Sequence, residues 1–168
     1  MALTLYGRHT SYNVQKVLWL LDELSLDYDH IELGSNPADT ETEQFGLLNP
    51  MRKVPVLVDD ENSIWESNTI LRYLANAYGL VQWQTGDAYQ PSLVERWMDW
   101  AQTRFEPAFV GVFWGYYRTP EHLRNEDAIE KSLADCRYCL DRLDEQVAGK
   151  PFIPGNQLSL ADVCCGVF

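Results

Sequence analysis

Apolar positions in the first half of the chain switch between strand-like and helix-like spacing. Residues 2–7 (ALTLYG) form a short apolar run that ends at a glycine, which predicts a strand. From Val14 to Leu24 the apolar side chains recur every three or four residues, which predicts a helix. A second strand is predicted at residues 28–33 (YDHIEL), and this order of elements indicates a right-handed parallel crossover.

A short helix, a hairpin and a third helix are predicted next. The short helix spans residues 42–48 and ends at an Asn-Pro pair. Strands at residues 54–58 and 63–65 flank a polar turn, which is typical of a β-hairpin. Helical spacing then runs from Ser67 to Gly79. The predicted order is therefore βαβ, a short helix and ββα.

Beyond residue 79 every apolar pattern has helical spacing. A long helix is predicted after Pro91 (VERWMDWAQTRFEPAFVGVFWGYY), bent near Pro107, and DAIEKSLADCRYCLDRLDEQV predicts a second helix. A third begins after Ser159, where Asp162 is spaced to complete a capping box. The sequence ends soon after this helix begins, so we expect a truncated chain with an uncovered apolar face.

The change of pattern predicts two domains. Residues 1–79 would form a mixed α/β domain, residues 80–90 a polar linker, and residues 91–168 an all-helical domain. The chain has 168 residues, which is enough for one sizeable core or two small ones.

The amino-acid composition limits the classes of binding partner and the cellular compartment that we expect for this protein. Thirteen Lys and Arg against 25 Asp and Glu give a net charge of -12, which disfavours binding to nucleic acid and to anionic membranes. No apolar run approaches the roughly 20 residues of a membrane span, and the N-terminus lacks the pattern of a signal peptide. We therefore expect a cytoplasmic protein.

The cysteines invite a metal or redox interpretation, because Cys136 and Cys139 form a C-x-x-C motif. This motif lies inside a continuous helical pattern, and no second pair of ligands accompanies it. We interpret these cysteines, and the adjacent Cys164 and Cys165, as small core residues, and we expect no metal site. The predicted core stripe of this helix consists of Ile129, Leu133, Cys136, Leu140 and Leu143.

Three polar segments would meet if the predicted strands share one sheet. Residues 9–13 (HTSYN) precede the first helix, residues 53–55 (KVP) precede a strand, and Glu66 and Ser67 open the third helix. Pro55 is either an ordinary strand start or a cis-proline beside a peptide-like ligand. Ser67 is either a helix cap or, with Glu66, part of a site for an α-amino acid head group.

The order of these motifs resembles that of the soluble glutathione transferases, specifically bacterial members near the theta and beta classes. The resemblance covers essentially the whole chain and rests on LTLYGRHTSYNVQKVLWLLDEL, NPMRKVPVLVDD, WESNTILRYLA and LSLADV. It implies an α/β plus all-α fold, with a thioredoxin-like N-terminal domain (βαβ-α-ββα) followed by an all-helical C-terminal domain. It also implies glutathione as the co-substrate, with no further cofactor.

The resemblance implies a role for five residues in binding glutathione. Val54 would pair its backbone with the cysteinyl part, with Pro55 as the cis-proline. Glu66 and Ser67 would hold the γ-glutamyl end. Lys53 would meet the glycyl carboxylate.

Ser11 lies at the position of the catalytic serine of theta-like members. Its hydroxyl would donate a hydrogen bond to the glutathione sulfur and favour the thiolate, which then attacks an electrophilic carbon. Asn13 stands where that class often has a proline, so Asn13 or Thr10 could be the donor instead. Tyr6 is another candidate, although its offset from the helix is wrong for the tyrosine of other classes.

The aromatic residues of the long helix are predicted to serve partly as core and dimer packing and partly as the wall of a second-substrate site. The candidates for that site are Tyr12, Trp100, Arg104 and Trp114. The leading hypothesis is a cytoplasmic, homodimeric enzyme that detoxifies small hydrophobic electrophiles by conjugation or dehalogenation. The alternative is a non-catalytic glutathione-binding or protein-interaction module of the same fold.

Overall fold

The computed structural model describes residues 3–79 and 88–168, and the chain divides into two compact units, mainly between residues 86 and 87. Most of the predicted linker, residues 80–87, lies outside the described residues, as does Ala2 of the first predicted strand. Within the described residues, no helix combines the length and the apolar character needed to cross a membrane.

The first unit is a four-stranded mixed sheet with three helices. Its elements are β1 (Leu3–Tyr6), α1 (Tyr12–Glu23), β2 (Tyr28–Ile31), α2 (Glu43–Leu48), β3 (Val56–Asp59), β4 (Asn62–Trp65) and α3 (Ser67–Tyr78). The strand order is β2-β1-β3-β4, with β1 parallel to β2 and β3 antiparallel to both β1 and β4. This arrangement confirms the predicted βαβ and ββα units and places them in one sheet.

The core of this unit lies where α1 and α3 pack together and where the central strands are buried. Fully buried side chains come from all of these elements: Leu5, Val14, Val17, Leu20, Leu21, Val56, Leu57, Ile70, Leu71 and Leu74. The strand predicted at residues 54–58 begins instead at Val56. Pro55 precedes it and has no amide hydrogen to donate to a strand ladder.

The second unit, described over residues 88–168, contains helices and connecting segments and no strand in that range. Its helices are α4 (Tyr89–Trp100), α5 (Glu106–Phe113), α6 (Glu126–Val147) and α7 (Leu160–Cys165). The expected capping box at the start of α7 is present, since the Ser159 and Asp162 side chains satisfy each other's backbone amides.

The predicted bend near Pro107 corresponds to a wider, π-helical turn at Ala101–Phe105, between α4 and α5. Proline cannot donate a hydrogen bond to the carbonyl four residues earlier, and its ring crowds that carbonyl, so a regular α-helical turn is disfavoured there. A second π-helical turn at Trp114–Arg118 ends this helical stretch before Thr119 and Pro120.

Cys139, Cys164 and Cys165 are buried, while Cys136 is half-buried. Burial raises the pKa of the Cys136 and Cys139 thiols, which makes them less reactive. The predicted core stripe of α6 was wrong at Leu140, which is 53% exposed. The rest of the stripe holds, since Ile129 is buried and Leu133, Cys136 and Leu143 are half-buried, and Cys139 is buried in place of its neighbour Leu140.

Asp59, at the end of β3, is buried and joins the sheet to the end of α3. Tyr73 donates a hydrogen bond to its Oδ2 atom at 2.6 Å, and Tyr78 donates a short one to the same oxygen. The hydrogen bond to Asp59, with smaller contributions from burial and the carboxylate charge, raises the pKa of each tyrosine to about 12.

The hydrogen bonds from Tyr73 and Tyr78 to Asp59 predict that the protein loses stability at alkaline pH. The tyrosine pKa in the folded state lies above the unfolded value near 10, so the stabilisation is complete below about pH 10 and disappears as the pH rises through about 12. At neutral pH, Tyr73→Phe should lower the free energy of unfolding by about 1–2 kcal/mol, and this difference should shrink above pH 10. Urea unfolding as a function of pH measures both effects. The exposed Tyr117 provides the control Tyr117→Phe, and equal stability of both variants at neutral pH would contradict the assignment.

Candidate functional site

The segments singled out in the sequence of the first unit meet around one cavity of about 240 Å³. Its lining residues come from the start of α1, the end of α2, the loop before β3 and the start of α3: Asn13, Asn49, Lys53, Val54, Pro55, Glu66 and Ser67. The common sheet brings these segments together, because β1 lies between β2 and β3. All of these residues except Asn49 were candidates from the sequence.

The loop before β3 contributes Lys53, Val54 and Pro55 to the lining of the cavity. The Val54-Pro55 peptide bond is cis, as the family resemblance implied, and Pro55 is buried. Val54 lies outside the strand ladder, whose first pairs join Val56 to Tyr6 and to Trp65. The exposed Lys53 places an ammonium group at the rim.

Asn49 is the residue that the sequence did not reveal as part of the site. It is 2% exposed, its Nδ2 atom donates to the Lys53 carbonyl at 2.8 Å, and its Oδ1 atom accepts from the Met51 amide at 2.9 Å. The side chain therefore holds the loop that carries Val54. Its only sequence signal is the Asn-Pro pair, which indicated nothing more than the end of a helix.

Glu66 and Ser67 stand at the start of α3, where free backbone amides and the helix dipole favour an anion. Glu66 has φ of 68°, a left-handed conformation that costs a glutamate about 1–3 kcal/mol. Its side chain is exposed, while Ser67 is buried. A strained acidic residue beside a helix N-terminus is a combination found at ligand sites.

The starts of α1 and α3 are joined by a direct side-chain contact. The Ser67 hydroxyl donates to Oδ1 of Asn13 at 3.0 Å, across 54 positions of sequence. Asn13 thus lines the cavity and contacts Ser67, a predicted partner of the γ-glutamyl end of glutathione.

Ser11 occupies the N-cap position of α1 and is 8% exposed. Within the described residues its side chain makes no capping hydrogen bond, although its backbone carbonyl accepts from the Gln15 amide at 2.9 Å. The hydroxyl is therefore not committed to the helix start. Ser11 is not among the described residues that line the cavity, so its predicted role remains a prediction.

The two other candidate donors are placed differently. Thr10 is exposed in the turn before Ser11. Tyr6 lies in β1, where its ring packs edge-on against Phe45 with centroids 6.5 Å apart, and it is not among the described residues lining the cavity.

The candidates for a second-substrate site fall in different units. Tyr12 is the first residue of α1 in the first unit. In the second unit, Trp100 and Arg104 line a cavity of about 620 Å³ that also contacts α6. Trp114 is 59% exposed and is not among the described residues lining that cavity. No group of His, Cys, Asp or Glu within residues 3–79 and 88–168 is arranged to hold a metal ion.

Comparison with known proteins agrees with this fold. Residues 1–76 match the family model described as the glutathione S-transferase N-terminal domain. The chain is 36% identical to glutathione S-transferase GstB of Escherichia coli K12, over 99% of this chain and 81% of that protein.

Solved structures extend the similarity to the second unit. A theta class glutathione S-transferase from Xanthomonas axonopodis pv. citri, with glutathione bound, superposes with a TM-score of 0.89 at 35% identity, over 98% of this chain and 79% of that one. A glutathione S-transferase from Pseudomonas fluorescens Pf-5 gives a TM-score of 0.86 at 29% identity, over 99% and 82%. The thioredoxin-like first domain and helical second domain are thereby confirmed, and the chain belongs to the glutathione S-transferase family of enzymes.

Proposed function

We propose that this protein is a glutathione transferase that binds glutathione in the cavity of the first unit and holds its thiol as the thiolate. The observation that carries the proposal is the convergence of Lys53, Val54, Glu66 and Ser67 on one cavity. These residues supply a cation, a stretch of backbone outside the strand ladder, an anion and a helix N-terminus. Glutathione offers a matching carboxylate, peptide backbone, ammonium and second carboxylate.

Each end of the tripeptide has a partner of suitable chemistry. The γ-glutamyl carboxylate would accept a hydrogen bond at the start of α3 from the backbone amide of Ser67, and the adjacent ammonium would pair with the Glu66 carboxylate. The cysteinyl backbone would pair with Val54 in the manner of an added strand. Lys53 would meet the glycyl carboxylate. These local charges matter because the net charge of -12 repels an anionic ligand elsewhere on the surface.

The chemical step needs an ionised thiol. A free cysteine thiol has a pKa of about 8.5, so only a small fraction is thiolate at neutral pH. A hydrogen bond donated by the Ser11 hydroxyl, together with the positive end of α1, would lower that pKa. The thiolate then forms a sulfur–carbon bond with the electrophile, a halide or similar group leaves with its bonding electrons, and the thiol proton passes to solvent.

A non-catalytic glutathione-binding module is the second candidate. The Ser11 side chain favours the enzyme over the non-catalytic module. If Ser11 served only as a helix cap, its hydroxyl would accept a hydrogen bond from an amide at the start of α1, and among the described residues it accepts none from that turn. Calorimetric titration with glutathione, followed by a conjugation assay with a generic aryl halide, separates the two on the full chain. Binding with turnover supports the enzyme, binding without turnover supports the module, and failure to bind glutathione contradicts both.

We also propose that the enzyme acts as a homodimer in the cytoplasm, as the family resemblance implies. Large apolar side chains are exposed in the single chain and would be covered in a dimer, including Leu47, Met51 and Leu123. Sedimentation equilibrium should give a mass about twice the 19.4 kDa of one chain. A mass of one chain at micromolar concentration would contradict the dimer.

A further inference from the structure

The turn that leads from β1 into Ser11 is held by the segment that follows β2. The Ser11 amide donates to the Arg8 carbonyl at 3.0 Å, so His9 and Thr10 form the middle of the turn. The Arg8 side chain donates to the Gly34 carbonyl at 2.8 Å. The orientation of the backbone at Ser11 therefore depends on the contacts that Arg8 and His9 make.

Glu32 contacts the middle of this turn most extensively. The His9 amide lies 3.3 Å from its Oε1 atom and 3.2 Å from its Oε2 atom. The His9 ring donates from Nδ1 to Oε1 at 3.0 Å, because a carboxylate oxygen can only accept. One side chain thus satisfies both the backbone and the ring of His9.

Two neighbouring contacts complete the arrangement. His30 donates from Nε2 to the Gly7 carbonyl at 2.7 Å, and the same nitrogen lies 3.8 Å from Oε2 of Glu32. The Gln15 side chain donates to the His9 carbonyl at 3.1 Å, which ties the turn to α1. The backbone of Gly7 and His9, which precedes Ser11, is therefore held by side chains from outside the turn.

We propose that Glu32 is a positioning residue for thiol activation, which holds His9 and thereby fixes the turn that places the Ser11 hydroxyl against the glutathione sulfur. This inference rests on the proposed function of Ser11. Glu32 directly follows β2 and is not among the described residues that line the glutathione cavity. Its effect on the reaction would pass through the backbone of the turn.

The carboxylate is well suited to this task near neutral pH. Partial burial acts to raise the pKa of Glu32, but the hydrogen bonds and charges of His9 and the charge of His30 outweigh it and lower the pKa below its usual value. Glu32 therefore remains ionised and able to accept several hydrogen bonds at once. Its side chain is 47% exposed, so the role depends on geometry rather than on a buried charge.

Two substitutions at Glu32 distinguish the effect of its side-chain length from the effect of its negative charge. Glu32→Gln keeps the length and an oxygen acceptor for the His9 amide, so kcat/KM should stay within about twofold of the wild type. Glu32→Asp keeps the charge but is one methylene shorter and cannot reach His9 in the same way. We expect Glu32→Asp to lower kcat/KM about tenfold, mainly through kcat, with the KM for glutathione unchanged. Glu61→Asp, in the exposed turn between β3 and β4, is the control and should match the wild type.

The spectroscopic readout is the pH at which bound glutathione gains its thiolate absorbance in the ultraviolet. Glu32→Asp should raise this thiol pKa by about one unit, an effect that loss of stability alone would not produce. In a Ser11→Ala background the same substitution should cause no further rise, because Glu32 acts through Ser11.

Three results would overturn the role of Glu32. One is an unchanged thiol pKa in Glu32→Asp while Ser11→Ala raises it, which leaves the proposed function standing. Another is a further rise in the double variant, which would mean that Glu32 acts independently of Ser11. The last is an unchanged thiol pKa in Ser11→Ala, which removes the proposed role of Ser11 as well.

Discussion

Ser11→Ala is expected to lower kcat/KM for conjugation by about 10-fold to 100-fold at neutral pH while leaving glutathione affinity nearly unchanged. The hydroxyl stabilises the thiolate but not the remainder of the tripeptide, so its loss acts on activation rather than on binding. A hydrogen bond to a charged group contributes about 1.5–3 kcal/mol, which corresponds to this range of rate. The structure leaves the Ser11 side chain without a capping contact, so the substitution should also cost little stability.

The pH dependence of kcat/KM is the measurement that identifies this mechanism. With Ser11→Ala the profile should move to higher pH by about one to two units, and the rates should converge with those of the wild type in alkaline solution. Thr10→Ala removes an exposed hydroxyl from the adjacent position and serves as the control. A wild-type profile in Ser11→Ala would contradict the assignment and make Asn13 and Tyr6 the next variants to test.

Glu66→Gln is expected to weaken glutathione binding by about 10-fold to 100-fold. The carboxylate is the proposed partner of the γ-glutamyl ammonium, and a neutral amide loses the charge-assisted part of that contact. Gln has nearly the same size and the same backbone restrictions, so the strained φ of 68° stays in both proteins. The change in glutathione affinity therefore measures the effect of the negative charge of Glu66 alone.

Isothermal titration calorimetry measures this change, and urea unfolding checks that the fold is intact. Glu61→Gln replaces another exposed glutamate of the same unit and should leave the affinity unchanged. Equal dissociation constants for Glu66→Gln and the wild type would contradict the proposed γ-glutamyl contact.

Elements with a strong local pattern could be predicted from the sequence. The third helix was expected from Ser67 to Gly79 and α3 spans Ser67–Tyr78, because its apolar spacing is regular and a glycine follows it. The start of β3 was less accurate because Pro55 interrupts the ladder inside an apolar run. The stripe of α6 was wrong only at Leu140, because Cys139 and Leu140 are adjacent apolar residues and only packing selects which of the two is buried.

The parts of the site that escaped prediction depend on contacts between distant residues. Asn49 acts through hydrogen bonds of a folded loop, and its Asn-Pro sequence has no feature that distinguishes it from an ordinary helix end. The hydrogen bond between the Ser67 and Asn13 side chains joins residues 54 positions apart, and it forms only when the starts of α1 and α3 meet. By contrast, Lys53, Val54 and Glu66 could be named early because their order along the chain resembles that of a known family.

The proposed function requires that this chain bind glutathione and lower the pKa of its thiol. The direct measurement is an ultraviolet titration of the wild-type protein saturated with glutathione, in which thiolate absorbance is followed as the pH rises. The midpoint should lie at least about one unit below the value of about 8.5 for a free cysteine thiol. A midpoint equal to that of glutathione alone, under conditions in which calorimetry shows the site to be full, would contradict the proposed function.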